Sequence, residues 1–210
     1  MKNITGLIVK VDNFKENHLS IVVYSNITGK TRIVVFGGKS KKKNSSFTKG
    51  IISELEINKD DVCVNNLIKI NFNWFSFNKY QLKTIDYFCY LIDRLLIVEE
   101  KSSKVLDLYK DLINKLNSKD FYLLEFLALE LEILRVAGYQ PDLNKNVVNK
   151  IFKESNLKDK YENEEIIQLI SLDVSRQKAF FIFLERVLLR VLINLNIKLP
   201  FSRSETVNFS

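Results

Sequence analysis

The residues able to do acid–base, nucleophilic or metal chemistry are few. The chain of 210 residues has one histidine, His18, and two cysteines, Cys63 and Cys89. Neither cysteine belongs to a CxxC pair. Three N and S ligands cannot complete a structural zinc site of four Cys and His, so no metal is expected. His18 lies between Asn17 and Leu19 at a strand start, which reads as a surface or barrel-edge residue rather than a general base. No GxxxxGK[ST] is present, and Gly37-Gly38 alone is a weak phosphate signal. Glu125, Glu130 and Glu132 recur along one helical run. With no His beside them, they read as the solvated face of an amphipathic helix rather than as metal ligands. The expectation is a protein with no catalytic residues and no cofactor.

The basic residues carry more information. The formal net charge is +7, yet residues 1–85 hold 14 basic and 6 acidic side chains, while residues 86–210 hold 18 and 19. From Lys30 to Lys49 there are seven basic residues (Lys30, Arg32, Lys39, Lys41, Lys42, Lys43 and Lys49) and no acid. Amines on a loop neutralise phosphates without reading bases, so a polyanionic partner is expected for this stretch. Tyr24 and Phe36 flank it and are candidates to stack on bases. Phe72 and Trp74 are assigned to the core. The competing reading is a solvated lysine loop.

These residues must be positioned by elements of two kinds. The runs 6–11, 19–25, 31–38 and 51–57 are short and β-branched, and 66–77 alternates apolar and polar residues. Asn78-Lys79 reads as a turn into a further strand at 80–87. Strands this short hide their edges best by closing into a barrel. After Ile85 the apolar period becomes helical, over 85–100, 104–117, 119–138, 144–154, 163–172 and 175–196. Ser103 and Ser118 are candidate caps, and Gly138 is a stop signal. The fold class expected is therefore α+β in two parts: a small β-barrel of the oligonucleotide-binding (OB) fold over 1–84, then an all-α helical domain over 85–210. No apolar run reaches the roughly 18 residues of a membrane span, and no apolar core of a signal peptide opens the chain. Two isolated cysteines fit a reducing cytoplasm.

Three stretches resemble the RecO family of bacterial recombination mediators. Residues 6–50 resemble its opening strand, its "E-N/D-x-L" segment (Glu16, Asn17, Leu19), its turn (Gly29) and its basic loop. Residues 125–143, EFLALELEILRVAGYQPDL, resemble its G-Y-x-P-D-L block through Gly138, Tyr139, Pro141, Asp142 and Leu143. LPFSRSET resembles its terminal motif through Ser202 and Arg203. Where many members place a CxxC after the PDL, this chain has Asn146 and Asn149, and the second cysteine pair is absent.

The resemblance implies binding to single- and double-stranded DNA, strand annealing, and nucleoid association. It also implies action with RecR, docking of the acidic, Phe-ended tail of single-stranded-DNA-binding protein, and indirectly loading of RecA. Such a tail needs an apolar hole and a cation. Arg135, one turn beyond Leu131, and Arg186 with Arg190 are candidates, because this chain otherwise strongly prefers lysine. The bland alternative pairs these arginines with Glu132 or Glu185. Two other readings remain: an RNA-directed barrel protein, and a helical interaction scaffold without nucleic-acid activity.

Overall fold

The computed structural model describes residues 1–40, 46–70, 77–153 and 158–207. Five β-branched runs form the strands β1 (Lys2–Phe14), β2 (His18–Ser25), β3 (Gly29–Val35), β4 (Ile52–Ile57) and β5 (Cys63–Ile70). They pair antiparallel in the order β3-β2-β1-β4-β5. The sheet curls until its outer strands meet, where Val34 N donates to Asp61 O at 2.9 Å and Val34 bridges Val62 in parallel. This is the partly open five-stranded barrel of the OB type. Ile8, Ile21, Val23, Ile33, Leu55 and Phe47 fill its interior.

A register shift between Ile8 and Lys10 adds a residue to β1 at the point where the barrel meets the helices. Leu7, Val9, Val22, Tyr24 and Ile52 face out of the barrel and join the helical core in one apolar cluster. Polar ties reinforce this seam. Tyr109 Oη donates to Gly50 O at 2.8 Å, and Lys49 pairs with Asp86 at 2.5 Å. Gly29 turns the β2–β3 hairpin at φ +67° against the chain after the first helix, where a Cβ would lie 2.3 Å from Val98 O.

The helices are α1 (Lys79–Leu95), α2 (Ser103–Ser118), α3 (Leu123–Val136), α4 (Lys145–Phe152), α5 (Asn163–Ile170) and α6 (Val174–Asn194), followed by a 3-10 turn at Arg203–Glu205. The strand expected at 80–87 is instead the start of α1. Asn78 accepts from Tyr80 N and Gln81 N while Gln81 caps Asn78 N in return, and this box starts the helix. Ser118 does not cap α3. It ends α2, and Lys119 follows in the left-handed conformation at φ 61°. Ser102, not Ser103, caps α2. Gly138 does terminate α3: Gly138 N donates to Arg135 O and Tyr139 N to Leu134 O, a Schellman pattern. Asn146 and Asn149 fall on α4.

Helix α3 is the hub, with Phe126, Leu127, Leu129, Leu131, Ile133 and Leu134 all fully buried. No helix among the described residues is long and apolar enough to cross a membrane.

Candidate nucleic-acid interface

The outer face of β1–β2–β3 is divided. The half near Leu7 and Tyr24 is covered by helices, and the half toward the β1–β2 turn is open. Strand register places Phe14 opposite His18 at the open end. The rings of His18 and Phe36 meet edge to face, centroids 4.7 Å apart. His18 Nδ1 accepts from Gly37 N at 3.1 Å, which leaves the proton of a neutral ring on Nε2 and fixes the start of the basic loop. Phe36 is 53% exposed and Phe14 38%.

Cations surround these rings. Lys15 Nζ stands 5.6 Å over the Phe14 ring, and Lys39 Nζ donates to Lys15 O at 2.9 Å. Two rows further along the same face, Lys10, Val22 and Arg32 are in register across three strands. Arg32 Nη1 donates to Ser20 Oγ at 3.2 Å and lies 3.9 Å from Asp12, which Lys10 approaches to 3.0 Å. Exposed ion pairs of this kind are worth about 0–1 kcal/mol, so exchanging Asp12 for a phosphate costs little.

Of the nine residues expected at a DNA site, Arg32, Phe36 and Lys39 are brought together here. Lys41, Lys42 and Lys43 lie outside the described residues. Three others serve the fold. Tyr24 is fully buried between sheet and helices, where burial, above all, pushes its phenol up to about 12. It cannot stack on a base in this position. Lys30 Nζ donates to Asp93 O at 2.5 Å, tying the hairpin to the end of α1, and burial lowers its pKa. Lys49 is held by Asp86 of α1. Sequence reasoning missed Lys10, Phe14 and Lys15. The signal was the hairpin spacing of NFKENHL, which sets Phe14 across from His18. His18 is the barrel-edge residue it was expected to be.

The helical side revises the acid assignments. Glu130 and Glu132 are buried, not solvated. Arg203 Nε donates to Glu130 Oε1 at 2.8 Å, Arg203 Nη2 and Tyr87 Oη also bond this carboxylate, and Arg203 Nη1 donates to Phe181 O at 2.8 Å. Glu132 accepts from Arg135 Nε at 2.9 Å and Nη2 at 2.5 Å, and from Ser102 Oγ at 3.3 Å. Only Glu125 keeps partial exposure, and burial raises its carboxyl pKa. The expected partner site therefore separates. Leu131 is fully buried and cannot reach a ligand, while Arg135 keeps 43% of its side chain exposed and is paired with Glu132. Arg186 and Arg190 line a groove of about 420 Å3 between α4 and α6, with Lys150, Val147, Ile151 and Phe183. Among the described residues, no group of three His, Cys, Asp or Glu side chains is placed to hold a metal.

Residues 82–183, from α1 into α6, match the family model described as "Recombination protein O C terminal". An OB-type barrel joined to this helical domain defines a recombination and DNA-repair protein. Its helical domain is thus a RecO-family C-terminal domain. A search of curated proteins returns no match.

Proposed function

We propose that this protein is a recombination mediator that binds single- and double-stranded DNA on the open face of β1–β2–β3. The observation that carries this reading is the convergence of Phe14, His18 and Phe36 with Lys10, Lys15, Arg32 and Lys39 on one exposed barrel edge. Aromatic rings beside a cationic track suit the bases and backbone of an unpaired strand. Lys41, Lys42 and Lys43, next in the chain, extend the positive charge. Annealing needs no covalent step, because neutralising phosphate repulsion lets complementary strands approach.

The α4–α6 groove supplies three cations around an apolar floor, which suits the acidic, Phe-ended tail of single-stranded-DNA-binding protein. The barrel and groove together would bring protein-coated DNA and a free strand to one molecule. With RecR as partner, this would help load RecA, at the nucleoid. A salt titration of binding to labelled single strands tests the reading. Affinity should fall linearly in log–log form, and Lys39→Ala with Arg32→Ala should flatten the slope by about 0.7 per lost contact. Absence of binding at low salt would overturn it.

A further inference from the structure

The helical domain carries a second groove of opposite charge. It runs between α2, α3 and α5, encloses about 560 Å3, and has Leu108, Leu124, Ala128 and Ile167 as its floor. Asp111, Asp120 and Glu125 line it against one cation, Lys115, which lies 3.8 Å from Asp120. The same floor continues past Ala128 toward Asn163 and Glu164, where Lys104 joins the lining and pairs with Glu164. Two buried polar atoms along this path have no hydrogen-bond partner, Glu125 Oε2 and Asn163 Nδ2, and Asn163 is only 5% exposed.

The complementary surface is on the same chain. Ile182, Arg186, Leu189, Arg190 and Ile193 form an exposed stripe along α6, with Ile182 52% and Ile193 74% exposed. Their spacing of four, three, one and three residues keeps them on one helical face, with apolar and cationic side chains interleaved. The inner face of α6, with Phe180, Leu184 and Leu188, is already buried in its own core. Because the inner face of α6 is held in its own core, the outward stripe cannot turn into the groove of the same copy.

We propose that the α6 stripe of one copy docks in the α2–α3–α5 groove of a second copy, as an amphipathic helix seated in an apolar trough. Arginines of the stripe meet Asp111 and Glu125, and its isoleucines and leucine cover the floor. The contact is head to tail. It leaves one unused stripe and one unused groove at the ends, so it adds copies rather than closing on a two-fold axis. Because the stripe includes Arg186 and Arg190, an acidic peptide in the α4–α6 groove would compete with it. The inference does not depend on the DNA-binding reading.

Sedimentation equilibrium of the full chain at low ionic strength tests it. Wild-type mass should rise above 24.6 kDa with concentration and return toward that value in high salt. Asp111→Arg, which spoils only the groove, and Arg190→Glu, which spoils only the stripe, should each remain monomeric alone. An equimolar mixture of the two should associate, because the intact stripe of one then finds the intact groove of the other. Asp111→Arg should also keep wild-type affinity for DNA and for an acidic tail peptide, which separates failure of this contact from failure of the proposed function. A wild-type chain that stays monomeric at every concentration would overturn the proposal. So would association untouched by Asp111→Arg, or a mixture that stays monomeric.

Discussion

The guanidinium of Arg203 meets the carboxylate of Glu130 in the centre of the helical domain, with Nε 2.8 Å from Oε1 and both side chains essentially dry. Arg203 also lies 3.6 Å from the Phe181 ring centroid, so the C-terminal segment is locked to α3 and α6 through one residue. Burial disfavours the charged guanidinium, yet the Glu130 carboxylate outweighs it and holds Arg203 above the usual arginine range. Removing one partner strands a buried charge. Arg203→Met should lower unfolding free energy by about 3–5 kcal/mol, and Glu130→Met combined with it should recover most of that loss. Urea unfolding of the three proteins measures this. Equal stability of single and double variants would show that the pair does not act as a unit.

Tyr24 makes the protein sensitive to alkali. Its phenol ionises near 10 when unfolded but is pushed up to about 12 in the fold. The raised value means its contribution is complete below pH 10 and lost as pH climbs toward 12. Tyr24→Phe should flatten the alkaline fall in stability by about 2–3 kcal/mol across that window, measured as unfolding free energy against pH. Superimposable curves would refute the assignment. DNA affinity near neutral pH should be unchanged, because the ring is covered.

The two thiols should react very differently. Cys89 is fully buried and burial pushes its pKa up to about 12, while Cys63 sits half-buried on β5 and donates to Asn65 O at 3.3 Å. A thiolate-selective reagent near neutral pH should titrate one thiol in the native protein and both after unfolding. Two fast equivalents in native protein would contradict the placement of Cys89.

On the proposed DNA-binding face, Phe36 and Phe14 are the rings that would stack on bases. Phe36→Ala or Phe14→Ala should weaken single-strand binding by about 1–3 kcal/mol each while leaving the salt slope nearly unchanged, since stacking releases no counterions. Fluorescence anisotropy at several salt concentrations separates the two effects. A changed slope with retained affinity would assign these rings some other role.

Gly29 joins a conformation and a contact that no other residue meets. At φ +67°, with Val98 O where a methyl would stand, Gly29→Ala should cost more than about 1 kcal/mol and loosen the hairpin from the α1–α2 connection. Thermal unfolding tests the first effect, and proteolysis near Ile97-Val98 tests the second.

Local pattern and composition carried much of this protein in the chain itself. The β-branched runs before residue 60 and the 3.6-residue period after Ile85 specify a barrel followed by helices, because strand and helix bury their apolar residues at different spacing. Gly138 announced the end of α3, because only a residue tolerant of positive φ closes a Schellman turn cheaply. The cluster of basic residues from Lys30 to Lys49 marked the half of the chain in which the open cationic face lies.

What each charge does was settled only by tertiary contacts. Lys30 and Arg32 are two residues apart on β3, yet Lys30 is drawn into the α1 seam and Arg32 faces outward, because the helices cover only part of the barrel. Tyr24 and Phe36 look alike as aromatic neighbours of a basic loop, but one lies beneath the helices and the other beyond their reach. Glu130 and Glu132 read as solvated because charged residues usually are. On a helix whose apolar residues occupy nearly every direction, they had to be buried. Their partners, Arg203 and Arg135, stand 73 residues and 3 residues away. The nearer pair was open to helical spacing. The distant one depended on where the last segment of the chain came to rest.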